Sequence, residues 1–209
     1  MFDLFINTFI VLFVVIDPIG VAPMFIALTH GGREEYKRKM AIKGTLIAAV
    51  ILILFVGAGN SLLHVLGISL AAFRIAGGAL LFLLAIDMLF ARHSGLRSTT
   101  LREQQEAEHK NDISVFPLAI PLIAGPGALT TVLLMLTNGR EQPFIMVIVL
   151  GVLILVLLIT LVTLLFAVHI LRFIGETGAN VISRVLGIIL TALAVQFVLD
   201  GVRTQFFQG

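Results

Sequence analysis

Val15-Ile16-Asp17-Pro18-Ile19-Gly20-Val21-Ala22 and Ile123-Ala124-Gly125-Pro126-Gly127-Ala128 each stand inside a long apolar stretch, and reading them decides the fold. Proline has no N–H and its ring clashes with the preceding turn, so each motif interrupts a helix. A bilayer core holds no water to satisfy the freed backbone groups. Interrupted backbone at that depth persists only where it is packed in protein or lines a cavity. Two such breaks at corresponding places in two halves of a chain are the sequence pointer to a transporter's substrate site.

The surrounding composition is that of a membrane protein. Of 209 residues, 59% are hydrophobic and 12% charged, with a mean hydropathy of +1.11, well outside the range of soluble domains. The net charge of +2 sits in short clusters between apolar runs, which fits membrane orientation rather than nucleic-acid binding. Cysteine is absent, which excludes disulfides, thiolate metal sites and cysteine nucleophiles. Met1-Phe2-Asp3-Leu4 lacks a positively charged lead and no small-x-small cleavage site follows, so the first apolar segment is expected to stay as a membrane helix.

Runs of roughly 20 apolar residues predict six spans near 2–28, 43–66, 69–90, 115–137, 144–171 and 182–203. The third follows the second so closely that Gly67-Ile68-Ser69 must be a tight hairpin. Arg33, Lys37, Arg38, Lys39, Lys43, Arg92, Arg97, Arg102, Lys110, Arg172 and Arg184 fall on one side, against Arg74, Arg140 and Arg203 on the other. That asymmetry predicts a multi-pass protein of the cell's inner membrane with both termini outside the cytoplasm. The expected fold is all-α, a 3+3 inverted repeat in one membrane domain. Residues 1–90 form the first three-helix repeat, 91–112 a charge-balanced cytoplasmic linker and 113–209 the second. Pro18 and Pro126 stand at equivalent places, and Leu28-Thr29 and Leu136-Thr137 repeat at the same offset. Helices one and four are expected to be broken at mid-membrane.

Proline is favoured at the first helical position, where its missing N–H costs nothing, and aspartate before it is a good N-cap. Asp17-Pro18 and Gly125-Pro126 therefore each read as the start of a new half-helix. The N-terminus of a half-helix carries partial positive charge and exposed amides suited to a carboxylate. The carbonyls that end the preceding half-helices suit an ammonium, Na⁺ or a proton-bearing group. A small zwitterion matches that field. The substrate site is thus expected at Asp17, Pro18, Ile19, Gly20, Ala124, Gly125, Pro126, Gly127 and Ala128, with Ala22 adding to the small lining and Thr130 and Thr131 supplying hydroxyls. Asp17 lies about 22 Å along its helix from Phe2 at 1.5 Å per residue. A carboxylate at such depth costs about 2.5–3.5 kcal/mol on insertion scales and is a functional candidate; the other reading is a capped structural aspartate.

Among the remaining polar residues, Asn60 and His64 share a helix face and are candidates for coupling or gating, as is Arg74, which could instead snorkel to the interface. Gly77-Gly78 is read as a close-packing site. The fifth span is apolar nearly all round apart from Thr160 and Thr163 and is expected to face lipid.

Three stretches carry a family resemblance: Val15-Ile16-Asp17-Pro18-Ile19-Gly20-Val21-Ala22-Pro23-Met24-Phe25, Phe73-Arg74-Ile75-Ala76-Gly77-Gly78-Ala79-Leu80-Leu81-Phe82, and Pro117 through Ala128. Together with Arg184-Val185-Leu186-Gly187 and Asp200-Gly201, they resemble the MarC family of bacterial and archaeal membrane proteins, which includes transporters of small neutral amino acids. The resemblance implies six helices, the first and fourth interrupted at these motifs, and breaks that bind glycine, alanine or a similar amino acid. It implies coupling to a proton, with Na⁺ as the other candidate. Some relatives carry asparagine where this chain has Asp17, which bears on any protonation role.

The expected function is secondary transport of small neutral amino acids by alternating access, in a protein whose partners are the zwitterion, the coupling ion and the lipid bilayer. The alternative is an exporter of other small metabolites or drugs with the same architecture. No enzyme, metal site, cofactor or nucleic-acid partner is expected: Gly-x-Ser-x-Gly and His-Glu-x-x-His are both absent and the five histidines are scattered.

Overall fold

The computed structural model describes residues 2–90, 112–137 and 143–207. The expected cytoplasmic linker therefore lies outside the described residues except for Asp112. Among the described residues every element is helical: α1 (Phe2–Ile16), α2 (Pro18–Leu28), α3 (Glu34–Val65), α4 (Leu70–Phe90), α5 (Ser114–Ile123), α6 (Pro126–Thr137), α7 (Pro143–Leu165) and α8 (Ala167–Phe207). Five helical stretches are long and apolar enough to cross a membrane, α1 and α2 together forming one of them. A sixth is added if α5 and α6, which meet at a 54° bend, are counted as one span.

The helix limits follow local chemistry. α3 starts at Glu34, earlier than the apolar run, because Glu34 and Glu35 complement the positive end of the helix and a helix needs no apolar residues to extend into water. Its far end is a Schellman turn: Ile68 N–H donates to Leu63 O at 2.9 Å and Gly67 N–H to His64 O at 3.1 Å. Gly67 sits at φ 66, a conformation glycine adopts without a Cβ penalty. Ser69 Oγ then caps the amide of Ala72 at 3.1 Å, which makes residues 67–69 the expected hairpin.

The limits of the last two spans differ from expectation. α7 ends at Leu165, and α8 begins at Ala167 with a break at Gly175 (φ 75, ψ 162). Ala167–Ile174, of which residues 167–171 were expected in the fifth span, is a separate short segment before the last membrane helix, which runs from Thr177. Hydropathy counts apolar residues and is blind to the direction change at a glycine.

α4 packs most extensively against α8. The two run antiparallel, and at three levels a glycine of one lies on an alanine carbonyl of the other. A Cβ would come within 2.9 Å of Ala71 O at Gly201, 2.8 Å of Ala194 O at Gly78 and 3.2 Å of Ala85 O at Gly187. Lipid tails are as apolar as leucine, so association in a bilayer depends on such close backbone contact rather than on a hydrophobic drive. α3 packs on α5, α6 and α7, while α1 packs on α6, α7 and α8.

The expectation that the fifth span faces lipid is corrected. α7 is buried along Val149, Val152, Val156, Thr160, Thr163 and Leu164, against α1, α2 and α3. Only its other face, including Val147, Leu158 and Val162, is exposed. In a bilayer both faces of a helix are apolar, so composition does not mark the buried one.

One ion pair ties the edge of the linker to the fold. Asp112 accepts from Lys43 Nζ on α3, from the Ser114 hydroxyl and from Ser114 N–H at 3.0 Å. The Lys43 bond first, and the two Ser114 bonds after it, hold the Asp112 carboxyl at about 2, below its ordinary 3.8. A depressed carboxylate stabilises the fold above its unfolded value and loses that contribution as pH falls through the folded one. The pair is nearly half exposed, so it is worth less than about 1 kcal/mol. Asp112→Asn is therefore expected to lower stability slightly at neutral pH, with the difference from the parent closing as pH falls from about 4 towards 2. Unfolding curves at both ends of that window check it, and a gap that widens towards pH 2 would refute it.

Candidate functional site

The first break is a single residue. Asp17 N–H donates to Phe13 O at 2.8 Å, ending α1, and Asp17 O accepts from Val21 N–H at 3.1 Å, starting α2. Between those bonds the Asp17 backbone is left-handed, φ 46 and ψ 69, a region that aspartate and asparagine enter more readily than other side-chain-bearing residues. Pro18 has no N–H to offer Val14 O.

The Asp17 side chain is 1% exposed and held from two directions. Oδ1 accepts from Gly20 N–H at 3.0 Å, the N-cap bond that the sequence suggests. Oδ2 accepts from the Ser183 hydroxyl on α8 at 3.1 Å. Gly20 keeps this space open: a Cβ there would lie 2.1 Å from Oδ2 and 2.8 Å from Ser183 Oγ. Ser183 escaped the sequence reading. Its one signal is a hydroxyl near the start of the last apolar run, beside Arg184, and its partner is 166 residues away.

The second break is built differently. α5 is not a regular helix: Phe116 and Ile120 have extended backbone, and wide turns are closed by Leu118 N–H to Ile113 O and Ala124 N–H to Ala119 O. Gly125 fits because a Cβ would sit 2.4 Å from Pro121 O, a backbone atom. The first bond of α6 runs from Leu129 N–H to Gly125 O at 3.1 Å, which leaves the amides of Gly127 and Ala128 without a partner inside the helix.

The two breaks adjoin. Val15, in the last turn of α1, is 3.5 Å from the Cβ position of Gly127, and α2 also touches α5. Val15, Leu84, Pro121, Gly125, Gly127 and Ala128 line a pocket at the N-terminus of α6 with about 20 Å³ of free volume, room for roughly one water molecule. Ala22, Ala124 and Ala128 are buried. Pro18 is buried and Ile19 half-buried on the α2 side, while Pro126 is exposed. The predicted residues thus form two neighbouring groups, a carboxylate cluster at Asp17–Gly20–Ser183 and the Gly-Pro-Gly pocket.

The hydroxyls and the other polar candidates separate. Thr130 packs its methyl into the space left by Gly77, 2.0 Å from that residue's Cβ position. Thr131 is fully buried, and its hydroxyl has no hydrogen-bond partner among the described residues. Arg74 donates to Thr204 Oγ1 on α8 at 3.2 Å, a bond within the α4–α8 pair. His64 is exposed in the last turn of α3, and the side chain of Asn60 lies outside the described residues. Among the described residues no three His, Asp or Glu side chains are grouped to hold a metal.

Known proteins resemble the chain over nearly its whole length. A UPF0056 membrane protein of Archaeoglobus fulgidus is 36% identical over 197 residues, covering 94% of this chain and 91% of the relative. The UPF0056 membrane protein YvbG of Bacillus subtilis is 34% identical, covering 99% and 97%, and YhcE of Escherichia coli 30% identical, covering 98% and 94%. No solved structure matches significantly. Residues 2–206 match the family described as MarC family integral membrane protein. That match takes in both breaks and the helix that carries Ser183, and the chain belongs to the MarC family.

Proposed function

We propose that this protein is a secondary transporter of small neutral amino acids, driven by a proton gradient, with its site at the two breaks. The observation that carries this reading is that the end of α1, two residues before the buried Asp17 carboxylate, adjoins the start of α6, with Val15 3.5 Å from the Cβ position of Gly127. The substrate carboxylate would sit on the amides of Gly127 and Ala128, where the end of α6 is positive. The ammonium would meet Asp17 or the carbonyls that end α1. Glycine and alanine walls would admit only small side chains, and the tight pocket fits the shut state of a site that opens as the halves rock.

The 3+3 inverted repeat belongs to this proposal and has support in the packing. Exchanging the two halves turns the α1–α7 contact into α5–α3, α2–α7 into α6–α3, α2–α8 into α6–α4 and α1–α6 into α5–α2, all of which occur, while α3–α7 and α4–α8 map onto themselves. Charge asymmetry supports an inner-membrane protein with both termini outside the cytoplasm, and the Lys43–Asp112 pair is consistent with α5 entering from the side where α3 begins. Transport, rather than an enzymatic reaction, is the role proposed.

The test is uptake of radiolabelled glycine and alanine into proteoliposomes, with and without an inward proton gradient. Saturable, gradient-stimulated uptake is expected, and Asp17→Asn is expected to abolish the stimulation while retaining the fold. Stimulation that survives in Asp17→Asn would reduce Asp17 to a helix cap. No uptake above empty liposomes by folded protein would remove small neutral amino acids as substrates.

A further inference from the structure

A second, larger cavity lies away from the breaks, where α2 ends, α3 begins and α7 passes into α8. It has a free volume of about 470 Å³, within the range of ligand sites. One wall is apolar, formed by Phe25, Ile26, Leu164, Leu165, Phe166 and Val168, and the rim carries Glu34, Glu35, Lys37 and Arg38. Lys37 is paired with Glu34 at 2.9 Å. Glu35 and Arg38 have no partner among the described residues, although one helical turn separates them. Among the described residues the rim therefore presents one free cation and one free anion with no net charge.

The setting is the edge of a bilayer. The chain leaves its first apolar span at Leu28 and enters charged sequence at Arg33. Beside the cavity runs Ala167–Ile174, the short segment before the Gly175 break, with Phe173 91% exposed and Phe166 54% exposed next to exposed Arg172. Bulky apolar side chains beside a base are the marks of a segment lying in the headgroup region.

We propose that this cavity binds a phospholipid whose headgroup carries both a phosphate and a free ammonium. Arg38 offers the planar N–H fork that matches phosphate oxygens, and Glu35 accepts from the ammonium. The first part of an acyl chain lies along Phe166, Leu165 and Val168. A soluble zwitterion would leave that apolar wall wet, and a purely anionic headgroup would leave Glu35 without a cation. The site is independent of the transport reading.

The experiment is native mass spectrometry of the purified full-length protein with phosphatidylethanolamine, phosphatidylcholine and phosphatidylglycerol at equal concentration. Phosphatidylethanolamine is expected to be retained about fivefold over each of the others, the ratio that one charge-assisted surface contact carries. Glu35→Gln should remove that preference and Arg38→Gln should lower retention of all three lipids, both at unchanged melting temperature, and Lys39→Gln, outside the cavity, should leave both intact. Equal retention of the three lipids would overturn the proposal, as would a preference for phosphatidylglycerol. So would loss of the preference in Lys39→Gln to the same extent, since the surface charge rather than the cavity would then be at work.

Discussion

Asp17→Ala is expected to destabilise the protein by about 2–4 kcal/mol, while Asp17→Asn is expected to stay close to the parent. Three losses combine in the alanine variant. The backbone at 17 is left-handed, which costs about 1–2 kcal/mol for a residue whose side chain makes no local hydrogen bond. The N-cap bond to Gly20 N–H disappears, typically about 1 kcal/mol. The Ser183 hydroxyl loses its acceptor in a partly buried setting, which costs towards the lower end of the about 1–3 kcal/mol of a buried unmet group. The sum is less than fully additive because Ser183 can turn to a backbone carbonyl in its own helix. Asparagine tolerates the left-handed region and keeps a side-chain oxygen for Gly20. Melting of the three proteins in detergent measures this, and an alanine variant as stable as the parent would show that the break does not depend on the Asp17 side chain. Because Asp17→Asn keeps the fold, its transport behaviour reads the carboxylate's charge separately from its capping role.

The second large effect is expected at the α4–α8 seam. A Cβ at Gly78 would lie 2.7 Å from Val198 Cγ2, 2.8 Å from Ala194 O and 3.0 Å from Val198 N. Two of those atoms are backbone within a helix and cannot swing aside. Gly78→Leu must therefore push α4 from α8 along the whole seam, because the Ala71–Gly201 and Ala85–Gly187 levels share the same helix axes. Overpacking of this kind costs about 3 kcal/mol or more, and loss of monodisperse, folded protein is the expected result. Gly151→Leu on α7 supplies the comparison: its Cβ position meets nothing within 4 Å, so the same side chain is expected to be tolerated. Equal tolerance at positions 78 and 151 would mean that the close seam is not needed for folding.

The helix starts at Pro18 and Pro126 were legible in sequence because their causes are local. Proline removes an N–H wherever it stands, aspartate before it can cap the next turn, and Gly125 is needed by the carbonyl of Pro121 only four residues away. The hairpin at Gly67 is legible for the same reason. Thr130 and Arg74 were read for their polar groups, yet one offers its methyl to Gly77 and the other turns to Thr204. A side chain's polarity tells what it can do, and its neighbours decide which part of it is used.

The sequence by itself determined that this is a helical membrane protein, where its apolar runs lie and that helices start at Pro18 and Pro126. Those properties depend on the length of apolar chain and on residues within a turn of each other, and the bilayer admits few alternatives. Only the tertiary structure decided that Ser183 holds Asp17 across 166 residues, that α7 has a buried face, that α4 and α8 meet through glycine and alanine, and that the end of α1 adjoins the start of α6. These are contacts between segments whose lipid-facing and protein-facing sides are equally apolar. Hydropathy cannot rank the faces there, so the choice falls to shape and to the pairing of a few buried polar groups.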